Sequence, residues 1–517
     1  METSYGILAL VPPVLAVGLA ILTKDVIVAL FVAVFVSSMI VCGGNPALGF
    51  TSITKEYIFG ALADTTNTQS LVIPVIIGAF VALLTRSGGA MAFANSVTKK
   101  VNTRAKCETG IWLGGLAVWF TDSGNSLIVG PIFESLAEKL RVSREKFSYI
   151  LDCTTSPICA LIPIIGWGVY AMGLIETELN AAGVVSVTSW DVFVQGIPYN
   201  FYAILTLFMC GLVSITQWDY GPMLSAQNRA MRTGKTIRDG GQPMRSESKK
   251  LELPEGVEPR VSTMIIPLGV MLVVLFAYLT SKGLWHQKVP GTDIRTAIAS
   301  GFLCATLVLI FLCVHRKIFT FRKCMSILSE GMGNMMFMCV VLVLAWSLSG
   351  VSKAMGTADY LVSISEGLLN PHLLPAILFM IGAVMSFATG TSWGTMAILV
   401  PIGLPMAIAF GISLPLVNAA IISGGLYGDH CSPISDTTIL ASIGSGCDHV
   451  DHFETQMPYA TTVAAICVLI YLIAGANASP LMIVPAIAIN VAVVFVLHKF
   501  SQKKIGVVNE LEDPMEK

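Results

Sequence analysis

The sequence predicts an all-α polytopic membrane protein, an inverted-repeat fold with about eleven transmembrane helices, two re-entrant hairpins and broken helices. Three observations carry this: apolar segments of spanning length, a one-sided distribution of Lys and Arg, and an internal repeat displaced by 260 positions. The 517 residues are 54% hydrophobic and 12% charged, with a mean hydropathy of +0.76. Such a chain is not a soluble domain. A net charge of −1 argues against a nucleic-acid partner and leaves the lipid bilayer as the main environment. The twelve cysteines are scattered, mostly through apolar stretches, and read as small buried residues rather than a disulfide framework.

Apolar segments of spanning length centre on 6–22, 26–42, 69–85, 109–136, 147–175, 196–217, 261–281 and 295–314, then on 331–350, 372–409, 413–445, 457–475 and 480–498. The first has no basic n-region and no small-residue cleavage site, so it is expected to stay as a membrane helix. Arg86, Lys99, Lys100, Arg104 and Lys106 precede the 109–136 segment, and Lys139, Arg141, Arg144 and Lys146 follow it. Both flanks belong in the cytoplasm under the positive-inside rule. The segment therefore enters and returns, turning at Thr121–Ser126. A second hairpin over 372–409, turning near Thr389–Ser392, keeps the eight basic residues of 218–260 and the basic C-terminal end inside. The N-terminus then lies outside, and only Lys55, Lys282, Lys288, Arg295 and Lys353 remain on that side.

The repeat runs in the same order through both halves. Phe120 with its polar turn, Ser156-Pro157-Ile158, Asp191-x-Phe193 and Pro198-Tyr199 answer to Phe387 with its turn, Ser432-Pro433-Ile434, Asp451-x-Phe453 and Pro458-Tyr459. If each hairpin fails to cross, the copies have opposite orientation, the plan of many secondary transporters. The chain then divides into a first half, 1–217 (repeat about 69–217), a cytoplasmic linker, 218–260, a second half, 261–498 (repeat about 331–475), and a tail, 499–517. The linker reads as solvated.

Ser is a good N-cap and Pro suits the first helical position, so Ser156-Pro157 and Ser432-Pro433 are expected to start half-helices in mid-membrane. A break exposes carbonyls that can coordinate a cation and N–H groups that favour a carboxylate. Thr154, Thr155 and Ser156 in one half, and Ser432, Ser435 and Thr437 in the other, add hydroxyl oxygens suited to a small hard cation such as sodium. Residues 367–428 carry no Asp, Glu, Lys or Arg. Ionisable groups next to such a stretch are costly and therefore functional candidates. These are Asp429 and Asp436, with His430 as a partner to pair with; Asp122 at the first polar turn and Asp152 before the first break are candidate carboxylates beside them. A carboxylate that holds a proton or a sodium ion, but not both, is the minimum machinery of an antiporter. Asp448-His449-Val450-Asp451-His452 invites a metal reading, yet its repeat partner lacks both histidines. A polar interhelical loop is the expectation there. Gly425–Asp429 also hints at intramembrane aspartyl proteolysis, a reading that explains neither the repeat nor the hairpins.

Four stretches carry a family resemblance: GDHCSPISDTTIL (Gly428 to Leu440), GCDHVDHFETQMPYA (Gly446 to Ala460), GTSWGT (Gly390 to Thr395) and VSREKFSYILDCTTSPIC (Val142 to Cys159). Through them the sequence resembles the NhaC-type sodium/proton antiporter family. The resemblance implies a non-enzymatic secondary active transporter of the cytoplasmic membrane of a prokaryote, with Na+ and H+ as cargo, no cofactor, and a homodimeric habit. By analogy, one cation site lies between Ser123, Asn125, Ser126 and Thr154–Pro157, near Thr155. The other lies between Thr389, Thr391, Ser392 and Cys431–Pro433, near Ser432. Many relatives carry a DDYFN-type turn where this chain reads Asp122-Ser123-Gly124-Asn125-Ser126. Replacing an aromatic by glycine opens space for a larger solute, so a carrier of a small organic acid or amino acid is the alternative.

Overall fold

The computed structural model describes residues 5–98, 101–243, 258, 260–284, 289–365 and 370–505. Among these residues the secondary structure is helical, with no strand. Ten helices are long and apolar enough to cross a membrane, and eleven if Val26–Val41 and Pro46–Ala63, bent by 117°, count as one span. Backbone polar groups in hydrocarbon must be satisfied within the segment, which is why the apolar runs become helices. Lys99 and Lys100 lie outside the described residues.

The two halves repeat one order of elements. In the first, the hairpin Arg104–Ala117 and Asp122–Lys139 precedes a broken helix made of Arg144–Cys153, Ser156–Cys159 and Gly166–Ala181. In the second, the hairpin Leu374–Thr389 and Ser392–Phe410 precedes Leu414–His430 and Asp436–Ser445. Thr188 and Asp448, displaced by the repeat interval, then cap the next helices, Ser189–Gly196 and His449–Ala476. Each capping side chain accepts from a backbone N–H of the first turn. Around this doubled unit lie the long helices Thr65–Arg86, Ser262–Ser281, Gly291–His315, Met336–Ala354 and Ile483–Ile505.

Both arms of the second hairpin are long and apolar enough to cross on their own. The turn between them lands on the break of the second broken helix. Gly390, at φ +69°, closes the first arm, and a Cβ there would meet the Ile434 carbonyl oxygen at 2.7 Å. Only glycine suits both demands.

Close backbone approach holds the unit together. Without a hydrophobic drive between helices in lipid, small residues set the packing. Gly424 and Gly428, one small-xxx-small step apart, let Leu414–His430 approach the carbonyls of Phe379 and Ala383. Gly130 and Gly444 do the same where the returning arm of the first hairpin crosses Asp436–Ser445, with a Cβ on either meeting backbone of the other helix. Gly444→Val is expected to destabilise the fold by about 3 kcal/mol through overpacking, read as a lower thermal midpoint in detergent. An unchanged midpoint would show that the crossing is loose.

Four expectations are corrected. Ser432-Pro433 does not start a helix. Residues 431–435 are unwound, and Ser435 is the N-cap, accepting from Thr438 N, so the half-helix begins at Asp436. In the first half, Ser156-Pro157 heads only a single turn, Ser156–Cys159, before the long half-helix resumes at Gly166. Proline fixes one turn but cannot supply the side-chain cap that a longer helix needs. The Asp448–His452 stretch is not a loop but the N-cap and first turn of His449–Ala476. The 218–260 segment is not all solvated linker. Gly221–Thr233 docks through buried Met223, Leu224, Gln227 and Ala230, and Gln227 caps Ser143 N at 3.1 Å. Residues 244–257 lie outside the described residues. Lys146, counted above as a flank charge, is fully buried and ion-paired with Asp219, with Glu108 at 3.9 Å.

Candidate functional site

The tip of each hairpin rests on the break of its own broken helix. In the first half, Thr121 caps the returning arm by accepting from Gly124 N at 3.1 Å. This places Asn125 one turn in, facing the break. Its Nδ2 donates to Gly115 O at 2.8 Å, Thr154 O at 2.9 Å and Val118 O at 3.4 Å. Three carbonyls around one nitrogen fix the amide orientation, so Oδ1 is the atom left over. That oxygen is buried and has no hydrogen-bond partner among the described residues. One position further along each chain segment, the Ser126 and Thr155 hydroxyls meet at 3.1 Å, and Thr155 also donates to Leu151 O at 2.7 Å. Thr154 donates back to Ile150 O and Leu151 O. Ser156 is buried at the start of its short turn. Asp122 is the first residue of the returning arm and half-buried. The Ser123 side chain lies outside the described residues.

In the second half the carboxylate takes the central place. Asp429 is buried at the penultimate position of Leu414–His430, where the helix carbonyls run out. Its Oδ1 accepts from Ser435 Oγ at 2.7 Å and its Oδ2 from Ser392 Oγ at 3.0 Å. Ser392 comes from the hairpin tip and Ser435 from the far side of the break. Thr437 Oγ1 lies 3.1 Å from Ser435 Oγ. Among the described residues no Lys or Arg pairs with Asp429. Thr389 donates to Met385 O at 3.0 Å, and Thr391 is the N-cap residue of Ser392–Phe410 without a side-chain cap bond. Ser432 is buried and accepts from Ile434 N at 3.3 Å. Asp436 is exposed and accepts from Thr437 N at 2.9 Å, which makes it a helix-start residue.

Asp152 is likewise penultimate in Arg144–Cys153, so both buried carboxylates sit at the negative end of a half-helix. Tertiary contact joins the two half-sites through Asp152. Its Oδ2 accepts from Thr438 Oγ1 at 3.0 Å and Gln456 Nε2 at 2.6 Å. His430 and His452 each bring Nε2 to 3.8 Å of that oxygen. His430 is held by Tyr202 Oη at 2.9 Å on Nδ1, with Cys153 Sγ 3.6 Å from Nε2.

Sequence reasoning missed Gln456, His452 and Tyr202. The first two lie inside a stretch already singled out and four residues apart, on one helical face. Tyr202 stands in an apolar run with no local signal. Also missed was the buried cluster in which Tyr459 Oη donates to Asp219 Oδ1 at 2.9 Å, beside Lys146. It joins the first hairpin, the first broken helix and His449–Ala476.

Two hairpins turned against two broken helices, with buried carboxylates at the junction, define a multi-pass membrane transporter of the antiporter class. The chain belongs to the Na+/H+ antiporter family, whose model matches residues 158–476. It is 29% identical over 516 residues to an uncharacterized protein of Haemophilus influenzae, covering 96% of this chain and 97% of that one. A malate-2H(+)/Na(+)-lactate antiporter of Bacillus subtilis is 28% identical over 217 residues, 42% of this chain and 44% of the relative. The fold is similar to that of the YdaH transporter of Alcanivorax borkumensis, whose crystal structure is described as revealing an unusual topology. The TM-score is 0.53 at 14% identity, over 85% of this chain and 90% of that one.

Proposed function

We propose that the protein exchanges sodium for protons across the cytoplasmic membrane of a prokaryote, with its N-terminus outside and its C-terminus inside. The observation that carries this is Asp429: buried and, among the described residues, without a Lys or Arg partner and held by two hydroxyl donors at the carbonyl end of a half-helix. A dry carboxylate without a counter-charge is costly, and a bound cation or a bound proton removes the cost. The two occupants exclude each other, which couples their movements. Asn125 Oδ1 supplies a second oxygen without a partner among the described residues, and Ser126, next in sequence, and Thr155 bring two hydroxyls together at 3.1 Å. Sodium, a hard cation, suits such an oxygen set.

The test is sodium-driven proton flux in proteoliposomes holding a pH-sensitive dye. A sodium pulse alone is expected to alkalinise or acidify the lumen according to the imposed gradient. The second reading is a sodium- or proton-coupled carrier of a small carboxylate. The similarity to a malate-2H(+)/Na(+)-lactate antiporter favours it. Silence with sodium alone, broken by adding one organic acid, would replace the first reading by the second.

A further inference from the structure

We infer that His449, Ser442 and His452 form a proton relay running from the cytoplasmic edge inward to His452, beside the buried junction at Asp152. The inference rests on the exchange reading above, because it supplies that reaction with a route for its proton. His452 is fully buried. Its Nε2 lies 2.9 Å from Gln456 Oε1 and its Nδ1 2.9 Å from Ser442 Oγ. The Gln456 amide cannot be turned round, because its nitrogen already donates to Asp152 Oδ2 and His430 O, both acceptors. His452 Nε2 therefore carries a hydrogen.

His449 stands at the half-exposed N-terminal turn of the same helix. Its Nε2 lies 2.7 Å from Pro433 O, a pure acceptor, so this nitrogen also carries a hydrogen. Its Nδ1 lies 3.1 Å from the same Ser442 Oγ. Ser442 further contacts Thr438 O at 2.9 Å. With both rings neutral, three acceptors would face one hydroxyl that owns a single hydrogen. Two of these contacts would be acceptor against acceptor. One additional proton on either Nδ1 turns that ring into a donor to Ser442 and reduces the acceptor-against-acceptor contacts from two to one. The arrangement thus binds one proton between two histidines.

The step conserves atoms and charge. A proton on His449 Nδ1 passes to Ser442 Oγ as the serine hydroxyl releases its own hydrogen to His452 Nδ1. The positive charge moves from one ring to the other, and only N–H and O–H bonds change. His452 Nε2 then stands 3.8 Å from Asp152 Oδ2. The titratable and charged neighbours are His430 and Asp152 on the core side, and Asp448, Glu454 and the Arg238–Asp451 pair on the cytoplasmic side. At the entrance, Asp448 stays below the usual carboxylate range. Partial burial opposes its charge, but the backbone N–H groups of Gln242, Val450 and Asp451 outweigh that effect. A negative group thus marks the outer end of the relay.

Ser442→Ala is the test, because it removes the bridge and leaves both imidazoles. In proteoliposomes it is expected to lower proton-coupled flux by about tenfold or more while sodium–sodium exchange, which moves no proton, continues. Nitrogen-15 spectra of the histidines in the membrane-reconstituted wild type are expected to show Nδ1 signals of His449 and His452 averaged between protonated and bare forms near neutral pH. Ser442→Ala should separate them. Full proton-coupled flux in the variant, or two permanently bare Nδ1 atoms in the wild type, would overturn the relay. A wild type that shows the shared proton but no sodium-driven flux would instead sink the sodium exchange reading and leave the relay standing.

Discussion

Replacing Asp429 by asparagine is expected to cut sodium-driven proton flux to below about 1% of wild type, the scale of losing the group that carries the proton. The amide is nearly the same size and still accepts one of the two hydroxyl bonds now made by Ser392 and Ser435. It cannot take up a proton in the working range, and it offers a cation a dipole instead of a charge. The fold should survive, because removing a buried charge that has no partner is often neutral or stabilising. The decisive measurement pairs the dye assay with a thermal midpoint. A folded variant with wild-type flux would remove Asp429 from the mechanism, and a collapsed one would assign it to stability.

Asn125→Ala is expected to act on both stability and affinity. The side chain ties the tip of the first hairpin to the break by donating to Thr154 O, and ties the two hairpin arms together by donating to Gly115 O. Its loss removes a donor from Gly115 O, which keeps Val118 N, and takes from the buried Thr154 O the side-chain donor that reaches it from the hairpin, at a cost of about 2 kcal/mol. The unpartnered Oδ1 disappears with it. The sodium concentration for half-maximal flux should therefore rise by about tenfold, equal to about 1.4 kcal/mol of binding. A lower midpoint with unchanged sodium dependence would make Asn125 a structural clasp and place the cation elsewhere.

Much of this was legible in one dimension because membrane folding is dominated by one constraint. Backbone polar groups must be satisfied within each segment, so apolar length alone marks the helices. A polar turn inside such a length marks a hairpin, as at Thr121–Ser126 and Thr389–Ser392. Helix starts were less legible where two capping residues competed. Ser432 and Ser435 are both good N-caps, and the choice fell to Ser435 because its hydroxyl also reaches Asp429 and Thr438 N. The docked helix Gly221–Thr233 was hidden because its buried face is short and interrupted by the polar Gln227 and Asn228, of which Gln227 bonds to the backbone of Arg141 and Ser143.

The sequence by itself determined the apolar segments, the two breaks and their order, since each depends on residues adjacent in the chain. It also determined which residue types line each break. Only the tertiary structure decided that the two half-sites are one. Asp152 from the first half meets Thr438 and Gln456 from the second across 286 and 304 positions of sequence. That meeting depends on the close crossing of Gly130 with Gly444, where the absence of two side chains lets helices from opposite repeats touch backbone to backbone. A glycine shows in a sequence as a letter, but the partner it admits exists only once the helices have packed.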